Sequence, residues 1–520
     1  MLRSGSRVWA DHLRFPLPWI EWTLPLPRSA AWKAFGLPGL VFLCSFALLW
    51  MGLSGLRLGE GELVRGEGVN AQDEAVYSYA ARGMARSGDW LTPRFLGRPF
   101  LYKPPAVYWL SGLSVAVWGE HAWAYRLPAA VASSATMALV AAMAMRAGGK
   151  LAGVSAWLVL LGCPWWMDLA RRNLTDPLYC LGITVAMAGV RGGWWFAAGV
   201  AMAILAKGVG GAVPLAVAAL VWFTPWAGMR RSLRAALVDW GRVALLAGPW
   251  FVAQMWLHPR WFFEEFIRVE VLAWGLGAAP QVSAEPAWWF YGKHLMGWQG
   301  VPILAAVIGS GVALARRERG VLPPLAWAGV MVLAIGGYSF RHATYLMPLV
   351  PAVALLTAYA PRWCRWLWVV AGVALSVSSA LAWREPRVVQ PQIALLEERV
   401  REGAGRPLLV HGTGDHFHAA LLPFPRVRYV FPSAAMPPKG FALDFRSMGI
   451  AVSVDEFLEL PRHLARFEST QRAWGLRGHE ATACVILYEN EAELRRLREE
   501  AAEYDFLESG AAPELIPARR

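Results

Sequence analysis

Cysteine is scarce in this chain: five occur in 520 residues, at positions 44, 163, 180, 364 and 484, and no two stand as C-x-x-C. Neither a disulfide framework nor a cysteine-built metal site organises the fold. Acidic charge is also thin, with 37 Asp and Glu against 50 Lys and Arg, and charged residues make up only 17% of a chain that is 56% hydrophobic. What charge there is gathers between long uncharged runs, as in a polytopic membrane protein. The net charge of +13 is accounted for by arginines at the ends of those runs, so it does not call for nucleic acid as a partner. No G-x-x-x-x-G-K-[ST] phosphate loop and no Gly-rich dinucleotide fingerprint is present. No similarity between the two halves suggests the internal repeat of a secondary transporter. A cleavable leader is not expected, because the first apolar run begins after about 36 residues and is too long for a signal h-region.

The long runs that are present set the organisation. The first covers 34–56; others follow at 127–145, 151–167, 177–190, 192–206, 208–229, 243–257, 294–315, 320–340, 343–361 and 366–383, which predicts about eleven membrane spans. Basic clusters at 146–150, 191, 230–234, 316–319 and 362–365 all fall on one side only if residues 105–119 are an interfacial or re-entrant helix and not a crossing. That side is the cytoplasm, with an N-terminal tail at 1–36. The loop 57–126, the 168–176 turn, the 258–293 loop and everything beyond 383 then face outward. The fold class is an α-helical polytopic membrane protein, 37–383, followed by a soluble α/β domain at 384–520 in which short apolar runs expected as strands, P-L-L-V-H, V-R-Y-V-F, I-A-V-S-V and C-V-I-L-Y, alternate with helical stretches.

The outward face collects the chemistry. Asp73 and Glu74 open a helical pattern that ends near Gly88; Asp73 reads equally as a helix cap or as a catalytic carboxylate. Lys103 precedes Pro104 and Pro105, which force an extended approach and can aim its ammonium into a cleft. Asp176 stands before Pro177 at a helix start, where capping is the structural alternative. Lys207 sits among glycines, and Arg341, His342 and Tyr345 share one mouth. Four outer-face cations, Lys207, Arg341 and the Arg171–Arg172 pair, run against the charge bias and suggest a basic pocket for a phosphate. Further on, His411, Asp415, His416 and His418 lie in H-G-T-G-D-H-F-H, more readily a loop after a strand than a metal site.

In order along the chain, D-E-A-V-Y, S-G-D-W-L-T-P-R, G-R-P-F-L-Y-K-P-P-A-V-Y-W-L, N-L-T-D-P, A-K-G and R-H-A-T-Y-L-M-P resemble the GT-C glycosyltransferases of the protein mannosyltransferase type. The resemblance is nearer to the bacterial branch that includes the aminoarabinose transferase acting on lipid A. It implies transfer of a sugar from a polyprenyl carrier, most often undecaprenyl phosphate, to lipid A, another envelope glycan or a protein, at the periplasmic face of the bacterial inner membrane. A transporter or flippase of lipid-linked sugars is the alternative. Position by position, the resemblance implies Asp73 as catalytic base with Glu74 beside it and Asp176 as a second acidic residue. It gives Lys103, Lys207, Arg341, His342 and Tyr345 to the donor phosphate. The aminoarabinose branch commonly reads E-K-P-P, its glutamate joining a histidine in a later loop on a divalent metal. Here Tyr102 takes that position, and F-I-R-V-E-V-L-A-W offers Glu270 and no histidine, so the ligands of that metal site are absent, which leaves no certain cofactor and a divalent metal open.

Overall fold

The computed structural model describes residues 28–51, 53, 69–95, 98–224, 229–275, 285–337 and 341–382, with 408–412, 427–432, 483–488, 492, 495 and 514–517 beyond them. Helix α1 (Arg28–Trp50) is followed by α2 (Val69–Ser87), a two-residue ribbon of β1 (Arg94–Phe95) and β2 (Arg98–Pro99), and α3 (Ala106–Trp118). Next come α4 (Ala122–Leu161), the short α5 (Pro164–Leu169), α6 (Thr175–Ala188), α7 (Trp194–Lys207), α8 (Val213–Phe223) and α9 (Leu233–Leu257). A single turn, α10 (Pro259–Trp261), opens into a π-helical run at Phe262–Gly275, and α11 (Ala287–Ala315), α12 (Leu322–Gly336), α13 (Val350–Thr357) and α14 (Arg362–Ala382) complete the helical part.

Among the described residues four helices are long and apolar enough to cross a membrane by themselves, or five if the bent pair within α11 is one span. Two of the four are hairpins. In α4, Gly149 adopts φ 80° and ψ −176°, a conformation open to glycine and outside any helix. After it the chain doubles back: a Cβ on Gly153 would stand 3.0 Å from the carbonyl oxygen of Ala141, whereas twelve residues of straight helix separate two positions by about 18 Å. The stretch from α7 to α8 likewise reverses at the 3₁₀ turn Gly208–Ala212, which brings the Trp222 ring to 4.9 Å from that of Phe196. Both reversals fall at breaks between uncharged runs of the sequence.

Small residues let the helices approach. A Cβ on Gly182 of α6 would stand 2.6 Å from the backbone nitrogen of Ala203 in α7, the close backbone contact that glycine permits between membrane helices. Large apolar side chains such as Leu43, Leu333 and Val370 point outward, as expected where the solvent is lipid.

Helix α3 is 13 residues long, about 20 Å, short of a ~30 Å hydrocarbon core. Leu110, Leu113 and Val117 lie exposed along one of its faces while Tyr108, Ser111 and Val115 are buried, the pattern of a helix lying along a lipid boundary. In α2 the helix begins at Val69, four residues before Asp73, so Asp73 lies inside the helix and does not cap it. Asp176 does not cap α6 either: Leu174 holds the cap position and no side chain caps there.

Towards the C-terminus, β3 (Leu408–Gly412), β4 (Val427–Pro432), β5 (Ala483–Tyr488) and β6 (Glu514–Pro517) form a parallel sheet in the order β4-β3-β5-β6. Three of these match apolar runs expected as strands, and parallel neighbours require crossover connections. The run I-A-V-S-V and the cluster Asp415, His416 and His418 lie outside the described residues; His411 is in β3.

Replacing Gly182 with valine is expected to push α6 and α7 apart and cost about 1–3 kcal/mol. A lowered melting temperature in detergent checks this; an unchanged one would show that the helices yield at no cost.

Candidate active site

Asp73, Lys103, Asp176, Lys207, His342 and Tyr345 gather at one end of the helical bundle. Asp73, on α2, accepts a hydrogen bond from the Tyr77 hydroxyl one turn on, at 3.1 Å. Among the described residues it forms no ion pair. Burial pushes its carboxyl up to about 6, opposed by the charge of Lys103 and the Tyr77 hydrogen bond and reinforced by Asp176 and Glu270. Those charges therefore face Asp73, although they come from segments far apart in the chain.

Each lysine of the site holds a carboxylate. Lys207, at the tip of the α7–α8 hairpin, pairs with Asp176 at 2.5 Å. Its ammonium also lies over the rings of Tyr345 and Tyr179, at 5.2 and 5.6 Å from their centroids. Tyr179 is fixed in turn by donating to the carbonyl of Gly210 at 2.7 Å. Lys103 is ion-paired with Glu270 of the π-helical run. A second glutamate of that run, Glu265, is fully buried and accepts from the Leu101 amide at 2.5 Å, so the segment leading into Lys103 is held at two points. Irregular helical turns of this kind occur often at functional sites.

Glu74 does a different job from its neighbour. It is fully buried, and Arg126 grips it with two bonds, Nε to Oε1 at 2.7 Å and Nη2 to Oε2 at 2.8 Å. The Asn173 amide donates to Oε1 at 3.1 Å, and Arg172 lies 3.8 Å from Oε2. Burial alone would raise the carboxyl; the charge and hydrogen bonds of Arg126, with Arg172 and the Asn173 amide, hold it below its ordinary value. Both oxygens are occupied, so Glu74 braces the segments that supply these partners. The brace joins α2 to α4 and to the turn before α6, and Asn173 adds a bond to Ser78 at 2.9 Å.

The expected basic pocket is smaller than four cations. Arg172 is nearly fully buried beside Asp168 at 3.3 Å and Glu74, and Arg171 is buried with its Nε on the Met167 carbonyl at 2.9 Å, so both belong to the packing of the turn. His342 lies at the mouth with Lys207 and Asp176 in electrostatic reach, but burial pushes its imidazole down to about 4, leaving it neutral at physiological pH. It hydrogen-bonds Thr344 at 2.6 Å through Nδ1. Arg341 precedes it, half-buried.

Sequence reasoning missed Tyr77, Arg126, Glu265 and the partnership of Glu270 with Lys103. Tyr77 carried a signal, since four residues from Asp73 places it on the same helix face. The others lie 52 to 167 residues from their partners, beyond any local pattern.

The chain is similar to known proteins in sequence and in fold. Residues 102–256 match the family model of dolichyl-phosphate-mannose-protein mannosyltransferases. In solved structures, the crystal structure of ArnT from Cupriavidus metallidurans in the apo state superposes with a TM-score of 0.63, over 82% of this chain and 91% of that one, at 17% identity. The structure of the same protein bound to undecaprenyl phosphate gives 0.61, over the same shares, at 18% identity. The fold is the GT-C fold. Among curated proteins, an undecaprenyl phosphate-alpha-4-amino-4-deoxy-L-arabinose arabinosyl transferase of Sodalis glossinidius is 28% identical over 340 residues, 61% of this chain and 59% of the relative. A protein of that name from Pseudomonas aeruginosa is 27% identical over 334 residues, 56% of each. The chain thus aligns with little more than half the length of these relatives. The curated relatives are of the bacterial branch that the sequence motifs resemble.

Glu74→Ala leaves Arg126 buried without its partner, which is expected to cost about 3–5 kcal/mol. Thermal unfolding of the purified protein tests this, and a shift no larger than for a surface alanine would remove the brace.

Proposed function

We propose that the chain is an integral-membrane glycosyltransferase that moves a sugar from an undecaprenyl-phosphate carrier to an acceptor at the periplasmic face of the inner membrane. The observation that carries the reading is Asp73 without an ion pair between two lysine–carboxylate pairs, in a GT-C fold shared with a protein whose structure was determined with undecaprenyl phosphate bound. The sequence relatives are transferases, which favours this reading over a transporter or flippase.

The chemistry follows from the charges. The acceptor oxygen forms a bond to the anomeric carbon while the bond from that carbon to the phosphate oxygen breaks, and undecaprenyl phosphate leaves. Asp73 takes the acceptor proton. Lys103 and Lys207 stabilise the charge growing on the leaving phosphate in a cleft of low dielectric, and Tyr345 and Tyr179 hold Lys207 in place. Asp176 positions Lys207 as Glu270 positions Lys103. Attack opposite the leaving group inverts the anomeric centre. His342 and Arg341 sit at the mouth, where a neutral imidazole can hydrogen-bond a phosphate or sugar oxygen. Acceptors of the lipid A, envelope-glycan and protein classes all present a suitable nucleophile.

Orientation and organisation are part of the proposal. The described apolar helices follow the eleven uncharged runs one for one if α4 supplies two crossings, α7 and α8 one each, and the 343–357 stretch one. With eleven crossings and α3 interfacial, the site faces the periplasm, and Arg191, Arg231 and Arg365 face the cytoplasm with the tail 1–36. Residues 37–383 form the transferase unit with its outer loop 57–126, and 384–520 form a periplasmic α/β domain built on the parallel sheet.

A divalent metal does not fit this donor set. Among the described residues no three His, Cys, Asp or Glu side chains gather as ligands, and Asp176 and Glu270 are each engaged by a lysine. Transfer should therefore survive treatment with EDTA. A loss restored by added divalent metal would show that ligands assemble when substrate binds.

Asp73→Asn is expected to fold normally and abolish transfer, read by mass spectrometry of lipid A, envelope glycans and secreted proteins from cells with and without the variant. Wild-type transfer should rise with pH as Asp73 loses its proton around pH 6 and then level off. Retained transfer in the variant, or a rate independent of pH between 5 and 7, would take the base role from Asp73.

A further inference from the structure

Tyr108 is a buried polar group that the reaction above leaves unused. It lies on α3, five residues after Lys103, and its side chain is fully buried. The rings of Tyr77 and Phe100 meet it edge-on at 5.8 and 6.3 Å between centroids. Among the described residues its hydroxyl has no hydrogen-bond partner, although Asp73, Glu270 and Glu265 all lie within electrostatic reach. A buried hydroxyl without a partner costs about 1–3 kcal/mol. Phenylalanine would fill the same space without that cost, so packing gives no reason for the oxygen. Its neighbour Tyr77 already serves Asp73, which leaves Tyr108 as the second phenol beside the same carboxylate, with its bond unmade.

We propose that the Tyr108 hydroxyl is a further substrate contact, donating a hydrogen bond to the substrate hydroxyl that Asp73 engages. The inference rests on the transferase reading of the site. The surroundings select the ligand chemistry: a hydroxyl can donate to Asp73 while it accepts from Tyr108, and it brings no charge. A phosphate oxygen at the same place would meet three carboxylates and be repelled. The phosphate therefore belongs at the lysines, and the Tyr108 side of the cleft takes a neutral hydroxyl, either of the acceptor or of the donor sugar.

The test compares Tyr108→Phe with the wild type and with Asp73→Asn, all as full chains, in membranes supplied with an undecaprenyl-phosphate-linked sugar and an acceptor that the wild type modifies. Tyr108→Phe should lower transfer about ten-fold, the loss of one hydrogen bond at the reacting group, while its melting temperature stays the same or rises. A rise confined to the acceptor KM assigns the hydroxyl to the acceptor, and one confined to the donor KM assigns it to the sugar; either supports the inference. Wild-type transfer by Tyr108→Phe overturns it, as does a loss of transfer matched by a lower melting temperature. If the wild-type chain modifies no acceptor of the lipid A, envelope-glycan or protein classes, the transferase reading falls and this inference with it.

Discussion

The ion pair between Glu74 and Arg126 is the constraint from which the rest of the site takes its position. Two charges removed from water are tolerated only where the geometry is close and the remaining lone pairs are engaged, and here the pair is bidentate with the Asn173 amide as a further donor. Because successive residues on a helix point about 100° apart, turning Glu74 inward onto α4 turns Asp73 towards the cleft. One buried contact thus sets the rotation of α2, and the bond to Asn173 fixes the turn that delivers Asp176. Asp73 thus faces the cleft with the Tyr77 hydroxyl bonded to it.

The bundle has two polar ends with different logic. At the site end, lysines come from a hairpin tip and from a proline-stiffened loop, each beside a carboxylate, so the charges are close to balanced and partly accessible to a ligand. At the other end Asp239 is fully buried and saturated: Arg231 at 2.6 Å, Arg242 at 2.7 Å and the Gly193 amide at 2.9 Å all converge on it. Arg231 and Arg242 also lie over Trp222 and Trp194. That end locks the α6–α7 and α8–α9 connections together, while Lys207 and Asp176 meet at the opposite tips.

Much of this was legible in the sequence because membrane helices announce themselves. The uncharged runs located the helices, and their breaks located the reversals at Gly149 and Gly208–Ala212 that helix length alone conceals. Asp73, Lys103, Asp176, Lys207 and Tyr345 were brought together as a group. What could not be read was which charges are spent on each other. Arg171 and Arg172 look like Lys207 in sequence, cations at outer helix ends, and only the fold shows them packed around Asp168, Glu74 and the Met167 carbonyl. Glu74 and Asp73 are likewise adjacent carboxylates whose roles separate through residues up to 99 positions away. Helix starts misled for a simpler reason: α2 begins earlier than its last obvious cap, since Asp73 lies inside a helix whose first turn carries no strong signal.

The division of labour among the site carboxylates follows from the same differences of environment. Asp176 and Glu270 each share charge with a lysine, while Asp73 has a phenol as its hydrogen-bond partner and surroundings that resist ionisation. On the proposed reaction, the lysines begin with their charge already partly satisfied, so they bind the donor phosphodiester, with its single negative charge, only moderately. As the sugar departs, the phosphate gains charge and competes better with Asp176 and Glu270 for the ammonium groups. The attraction then grows along the reaction path, and the stabilisation is larger in the transition state than in the ground state, which is what raises a rate and not merely an affinity. Lysines without carboxylate partners would hold the donor more tightly at the start and the departing phosphate no better by comparison.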